Sequence, residues 1–239
     1  MTPPTKTHQG QDFASGYARS HRLYETVVIF VGITVWTALA LRLRTTESVS
    51  GWWAPLAMLL GLLAADFASG VIHWTFDTWG SVNTPIVGQL AVRQFREHHV
   101  DASSITRHDF VETNGHNVGL SIVPSVVGLV VLGRGTHLCT VIAMALFSMA
   151  AFVALTSQIH KWAHMATPPR IVRWLQNMRL FISARHHAAH HQAPNDRYYC
   201  ITVGWLNRPL QEIRFFETLE RVITTLTGAT PRGGEDTNR

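Results

Sequence analysis

Cysteine is scarce in this sequence of 239 residues, which contains only Cys139 and Cys200. Cys139 falls in an apolar run and Cys200 in a polar stretch, so the sequence predicts neither a disulfide framework nor a metal site built on thiolates. We find no internal repeat and no strand-rich region. The amino-terminal segment has no short apolar core followed by small residues, which predicts that no signal peptide is cleaved. A small secreted disulfide scaffold is therefore excluded.

Charged residues are also few, at 15% of the chain, and they give a formal net charge of +5 with histidine neutral. The basic residues lie beside apolar runs rather than in one patch. This distribution favours anionic lipid headgroups as partners, and we expect no binding of nucleic acid.

Four apolar runs are long enough to suggest membrane helices, since about 20 apolar residues cross a bilayer. They cover residues 23–43, 52–74, 118–133 and 137–159. The third is short, so a helical hairpin that enters the membrane without crossing it is an alternative for the last two. The predicted fold is an all-α integral membrane protein of about four spans. Its domain covers residues 21–227, between disordered tails at 1–20 and 228–239.

The distribution of arginine and lysine predicts the orientation of the spans. Basic residues are concentrated before the first span, between the second and third, and after the fourth, whereas the opposite side has only Arg42, Arg44 and Arg134. The positive-inside rule then places both termini and the loop 75–117 in the cytoplasm. All the clustered histidines fall on that same side, which predicts a cytoplasmic histidine-rich cap.

At least eight of these histidines are candidate metal ligands. Imidazole is costly beside hydrocarbon without a partner, and it is the commonest neutral metal ligand. Eight are too many for one zinc ion and suit two metal ions. They fall into four clusters, which are His73, then His98 and His99, then His160 and His164, then His186, His187, His190 and His191.

Spacing supports these assignments locally. His160 and His164 are four residues apart, which places both on one helix face. His187, His190 and His191 form an HxxHH box, whose spacing also predicts one helical face. Lys161 stands where zinc proteases have glutamate after the first histidine, so that hydrolytic mechanism lacks its base. Ligation by nitrogen with open positions favours iron and dioxygen over a closed zinc tetrahedron.

Other polar residues are candidates for ligands or for side chains that orient ligands. Asp66 and Asp77 share a helix face with His73, and Asp66 lies deeper, which favours a structural or orienting role for it. His186 extends the box, and His108 and Asn117 belong to a stretch rich in ligand-type side chains.

Two amphipathic segments follow the last span. Residues 170–182 alternate arginine with apolar residues and predict a helix in the membrane interface. Residues 207–226 predict a second amphipathic helix. Arg170, Arg173 and Arg185 are candidates for binding a lipid phosphate or docking an acidic electron donor.

Five segments together resemble the plasmanylethanolamine desaturases of the CarF/Kua type. The matching segments are residues 73–81, 95–115, 158–164, 186–191 and 199–207. The resemblance implies insertion of a vinyl-ether double bond into the 1-O-alkyl chain of ether phospholipids, which yields plasmalogens. It also implies two iron ions, O2 as co-substrate and electrons from a cytochrome b5- or ferredoxin-like donor. The resemblance implies that His160, His164, His187, His190 and His191 are metal ligands from the named histidine boxes, and that His73, His98 and His99 are ligands from the other signatures. His116 stands where the family usually has aspartate.

Three alternatives stay open at this stage. The same scaffold is compatible with an acyl-lipid desaturase or hydroxylase. The histidines also allow a zinc-dependent membrane hydrolase. The third alternative is a non-enzymatic membrane regulator of a light or singlet-oxygen response.

Overall fold

The computed structural model describes residues 19–46, 51–85, 87–88 and 92–232, and within these ranges its regular elements are all helices. Nine of the elements in the described ranges are α-helices, and one 3₁₀ turn lies at Ser104–Thr106. In chain order the α-helices are α1 Arg19–Thr45, α2 Trp53–Thr78, α3 Arg93–Val100, α4 Phe110–Leu132, α5 His137–His164, α6 Arg170–Asn177, α7 Ala184–His187, α8 Asn207–Glu212 and α9 Phe215–Thr227.

Helices α1, α2, α4 and α5 are each long and apolar enough to cross a membrane, which confirms the predicted integral membrane protein with four spans. The third span is longer than its apolar run because the polar residues 110–117 continue the helix. Its 23 residues reach about 34 Å at a rise of 1.5 Å per residue. The side chain of Asp109 caps this helix by accepting hydrogen bonds from the backbone N–H groups of Val111 and Glu112.

Helix α5 is central to the bundle. It packs against α2 and α4, and α1 packs mainly against α4. A Cβ atom on Gly61 would lie 2.1 Å from the carbonyl oxygen of Ala145, so glycine permits the close approach of α2 and α5. Ser148 on α5 donates a 2.7 Å hydrogen bond to the carbonyl oxygen of Met58 on α2. The histidine-bearing ends of these two helices are thereby held side by side.

The segment after α7 returns to α2 and contacts it near the middle of the helix. Asp66 accepts hydrogen bonds from the backbone N–H groups of Val203 and Gly204, both at 2.9 Å, and of Leu206 at 3.1 Å. Ser69 accepts another from the N–H of Ile201 at 3.1 Å. Asp66 therefore has the structural role that its depth predicted, holding a loop against α2.

Two predicted boundaries were wrong in detail. The amphipathic segment 207–226 is two helices rather than one, because Arg214 adopts a left-handed backbone conformation with φ 52° between α8 and α9. The amino-terminal tail at residues 1–20 stays a prediction, although α1 begins at Arg19. The rest of that predicted tail, and residues 233–239 of the other, lie outside the described residues. The interfacial helix predicted over residues 170–182 is shorter in the structure, since α6 ends at Asn177 and Arg179 has a left-handed φ of 59°. Within α6, Ile171 and Trp174 are exposed and Val172 is buried.

Candidate metal centre

Five imidazoles converge at the polar end of the bundle. They come from α3, the end of α5, the end of α7 and the turn that follows it. Pairs of Nε2 atoms lie 2.8 Å apart for His160 and His187, 3.0 Å for His98 and His191, and 3.0 Å for His187 and His191. Candidate ligand atoms of the whole group lie within 4.8 Å of one another. This five-histidine cluster is His98, His160, His164, His187 and His191.

A second group lies beside the first and contains a carboxylate. We name His73, Asp77, His99 and His190 the histidine–aspartate cluster. Asp77 Oδ1 lies 3.0 Å from His99 Nε2. Asp77 Oδ2 lies 3.3 Å from His73 Nε2 and 3.4 Å from His190 Nε2. One carboxylate thus faces three imidazoles.

Two short segments supply donors to both clusters. His98 and His99 are neighbours on α3 but enter different clusters. In the HxxHH box, α7 ends at His187, and the chain turns through a hydrogen bond from the N–H of His190 to the carbonyl oxygen of His187. The prediction of one helical face was therefore wrong, since the turn places His190 in the histidine–aspartate cluster. The ring centroids of His190 and His191 are 5.4 Å apart, which makes the clusters immediate neighbours.

Backbone carbonyls set the direction of two ligands. His73 Nδ1 donates to the carbonyl oxygen of Tyr199 at 3.1 Å, and His190 Nδ1 donates to that of Arg197 at 2.8 Å. Donation from Nδ1 leaves the lone pair on Nε2, directed at Asp77. A lone pair facing a carboxylate is repulsive without a cation between them. Among the described residues, His73 Nε2 and Asp77 Oδ2 are also buried without a hydrogen-bond partner. The donor set therefore fits a bound metal cation.

The five-histidine cluster is likewise prepared for metal. Burial lowers the pKa of His98 and the pKa of His187 well below the ordinary 6.5, with neighbouring imidazoles acting in the same direction. Burial also lowers the pKa of His191 to about 3. These imidazoles are therefore neutral near pH 7, and the neutral form is the one that binds metal.

The remaining candidates divide between the clusters and their surroundings. Asp77 lies in the histidine–aspartate cluster, whereas Asp66 binds backbone N–H groups instead. His186 Nε2 faces Asn207 Nδ2 at 3.2 Å, outside both clusters. His108 Nε2 lies 3.7 Å from a carboxylate oxygen of Glu112, and neither belongs to the two clusters.

A cavity opens beside the five-histidine cluster, between α2, α3, α4 and α5. It reaches the candidate metal ligands His98 and His160. Its apolar lining includes Ile72, Leu120 and Val153, and its polar lining includes His108, Glu112, Asn117 and Ser104. This lining suits a molecule that has both an apolar chain and a polar group, and it lies beside one candidate metal site. Arg170, Arg173 and Arg185 are exposed and do not belong to this lining.

Sequence reasoning missed three features of this end of the molecule. The carbonyl groups of Tyr199 and Arg197 leave no mark in a sequence, because every residue has one. The sequence offers one indication for Glu112, because it lies one helical turn after His108. Its position at the cavity depends on where α4 begins. The third feature is a separate group formed by His21, Glu25 and His116.

Comparison with known proteins identifies the class. The lipid desaturase domain matches residues 62–234. The chain belongs to this lipid desaturase family, and it is an oxidoreductase that introduces a double bond into a lipid.

Individual relatives confirm the predicted resemblance. The plasmanylethanolamine desaturase of Myxococcus xanthus is 44% identical over 229 residues, covering 95% of this chain and 80% of that protein. Plasmanylethanolamine desaturase 1 of Mus musculus is 43% identical over 186 residues, covering 75% of this chain and 68% of that protein. Fatty acid desaturase 4, chloroplastic, of Arabidopsis thaliana is 36% identical over 190 residues, covering 77% of this chain and 55% of that protein. No solved structure matches.

Proposed function

We propose that this chain desaturates the 1-O-alkyl chain of plasmanylethanolamine to the vinyl ether of a plasmalogen, with O2 as co-substrate. The observation that carries the proposal is the pair of adjacent clusters beside a partly apolar cavity. The relatives named plasmanylethanolamine desaturase support the alkyl substrate. Acyl-lipid desaturation is the second candidate, because a relative at 36% identity is named a fatty acid desaturase.

Two iron ions are the proposed metals. The five-histidine cluster offers more nitrogen donors than the four ligands of a zinc site, and imidazole and carboxylate both occur as ligands of non-haem iron. In the second cluster His73, Asp77, His99 and His190 would hold the other ion. Bound iron supplies the O2 chemistry that removes hydrogen from an unactivated C–H bond.

The depth of the clusters agrees with a reaction near the lipid headgroup. His73 lies five residues before the end of α2, and His160 lies four residues before the end of α5. At 1.5 Å per residue these positions are about 6 to 8 Å inside the helix ends. The first two carbons of a 1-O-alkyl chain adjoin the ether oxygen and the glycerol. A lipid whose headgroup stays at the membrane surface therefore presents these carbons at the depth of the clusters.

The cavity residues have positioning roles in this proposal. Leu120 and Val153 would hold the alkyl chain and exclude water beside His98 and His160. The C–H bond next to the ether oxygen is the weaker one, because the oxygen lone pair stabilises the radical formed there. Hydrogen removal is expected to begin at that carbon.

Electron balance requires a partner. Reduction of O2 to two water molecules takes four electrons and four protons. Breaking two C–H bonds to form the double bond supplies two of each. The other two electrons come from an external donor, which we propose is a cytochrome b5- or ferredoxin-like protein. The exposed Arg170, Arg173 and Arg185 remain candidates for docking its acidic surface or a lipid phosphate.

We also propose that both termini and the clusters face the cytoplasm. Arg93, Arg96 and Arg107 lie at the end of the bundle that holds the clusters, whereas Arg42, Arg44 and Arg134 lie at the other. A soluble cytoplasmic electron donor would then reach the clusters directly.

The test is lipid analysis of a plasmalogen-free host that expresses this chain and receives 1-O-alkyl phospholipid. We expect a vinyl ether that acid cleaves, formed in isolated membranes only when O2 and a reductant are supplied. An acid-stable alkene instead would indicate acyl desaturation. Absence of both products from folded protein loaded with iron would contradict the proposal.

Glu112 is expected to favour the ethanolamine headgroup. Its carboxylate lines the cavity and is three-quarters buried, so it is placed to meet an ammonium group. Hydrogen bonds to charged groups contribute about 1.5 to 3 kcal/mol, and partial exposure reduces this toward ~1 kcal/mol. Glu112→Gln should lower the preference for ethanolamine over choline alkyl lipids by about fivefold. Competition between the two lipids in membranes measures that ratio.

Glu212→Gln is the matched control, because Glu212 is exposed on α8 and paired with Arg208. It should leave the ratio unchanged. An unchanged ratio in Glu112→Gln as well would show that this carboxylate does not read the headgroup.

A further inference from the structure

A third group of metal-ligand side chains lies apart from the two clusters described above. His21 and Glu25 are four residues apart on α1, and His116 is on α4, which packs against α1. Glu25 Oε1 lies 3.1 Å from His21 Nε2 and 3.2 Å from His116 Nδ1. Their ligand atoms all lie within 4.8 Å of one another. None of these residues belongs to the five-histidine cluster or the histidine–aspartate cluster.

The packing around Glu25 is built for a buried carboxylate. Its side chain is fully buried, whereas His21 and His116 are 18% and 29% exposed. Gly115 faces it, and a Cβ atom there would lie 2.7 Å from both Cβ and Cγ of Glu25. Glycine therefore provides the space in which the carboxylate reaches the imidazoles. An ionisable residue in an apolar span is costly and generally has a specific role.

The surroundings of the His116 imidazole indicate a bound cation rather than a hydrogen bond. Its Nδ1 lies close to Glu25 Oε1, but the angle makes no hydrogen bond. Its Nε2 is also buried and has no hydrogen-bond partner within the described ranges. A metal ion satisfies a ring nitrogen along its lone pair and neutralises the carboxylate at the same time.

From this geometry we infer that His21, Glu25 and His116 form a third metal site that takes a divalent transition-metal ion such as Zn²⁺. Two imidazoles and one carboxylate are a common donor set for such ions, and a fourth donor completes the sphere. The site joins α1 to α4 at the polar end of the bundle. Because α1 packs mainly on α4, an ion here ties the first span to the rest of the molecule.

The test measures zinc in untagged, full-length protein, after incubation with Zn²⁺ and removal of the excess. We expect wild type to retain one equivalent per chain more than His116→Ala. His137→Ala is the matched control, since His137 is exposed at the opposite end of the bundle, and it should retain as much zinc as wild type. Equal zinc in wild type and His116→Ala would overturn the inference.

His116→Asp keeps the inference testable if the alanine variant fails to fold. It places a second carboxylate beside Glu25, which is repulsive without a cation and compatible with one. With the two clusters already loaded with iron, we expect Zn²⁺ to raise the Tm of His116→Asp at least as much as that of wild type. If Zn²⁺ raises the Tm of neither His116→Asp nor wild type, then His21, Glu25 and His116 form an ion-paired triad that binds no metal. The measurement does not use desaturase activity, so its outcome is separate from the proposed reaction.

Discussion

Replacement of His187 by alanine is expected to remove vinyl-ether formation, by at least about 100-fold. His187 is 1% exposed and lies within 2.8 and 3.0 Å, Nε2 to Nε2, of His160 and His191 in the five-histidine cluster. Loss of a partner that only orients a ligand typically costs about 10- to 100-fold in metal affinity or activity, and loss of the ligand itself costs more. Mass spectrometry of acid-labile lipid, with iron measured per chain, checks both parts of this prediction.

His137→Ala is again the control, because it removes an exposed imidazole far from the clusters. It should keep wild-type iron and product. The contrary outcome is a His187→Ala protein that keeps its full iron content and forms more than about a tenth of the wild-type product. That result would show that His187 is not a ligand, because the loss of product would be smaller than loss of an orienting residue typically causes.

Replacement of Asp66 by alanine is expected to cause the largest loss of stability. Three backbone N–H groups, those of Val203, Gly204 and Leu206, would lose their acceptor at distances of 2.9 to 3.1 Å. Each buried group left without a partner costs about 1 to 3 kcal/mol, so the total is ~3 to 6 kcal/mol after partial rearrangement. Thermal unfolding in detergent measures the fall in Tm.

The effect should extend to metal binding, because the same segment carries the carbonyl groups of Tyr199 and Arg197 that orient His73 and His190. Asp66→Asn is the informative comparison. Its amide oxygen can still accept the bonds from Val203 and Gly204, so we expect about half the loss of stability. A Tm for Asp66→Ala equal to that of wild type would show that the loop is held by other contacts.

The four spans could be predicted from the sequence because a bilayer restricts which structures can cross it. Apolar length alone identified the four spans, because a helix must satisfy its own backbone in lipid. Once the spans alternate, the span ends that carry His73 and His160 must meet at one face with the loop that carries His98. The break at Arg214 was not predictable from pattern, since the apolar periodicity continues through it.

The candidate site was predictable as a set of residues but not as two groups. The partition depends on the turn after His187, which sends His190 to Asp77 and His191 to the other cluster. It also depends on hydrogen bonds from ring nitrogens to distant carbonyl groups. The role of Asp66 required the path of residues 203–206 across α2, which no local spacing encodes.

One consequence concerns the distance between the two metal positions. Two short peptides, His98–His99 and His187–His191, each contribute donors to both proposed positions. The separation of the two positions is therefore restrained by covalent chain geometry over one to four residues, in addition to the packing of α2, which carries His73 and Asp77, near α5, which carries His160 and His164. An ion at one proposed position would also order donors of the other, so we expect loading of the pair to be cooperative.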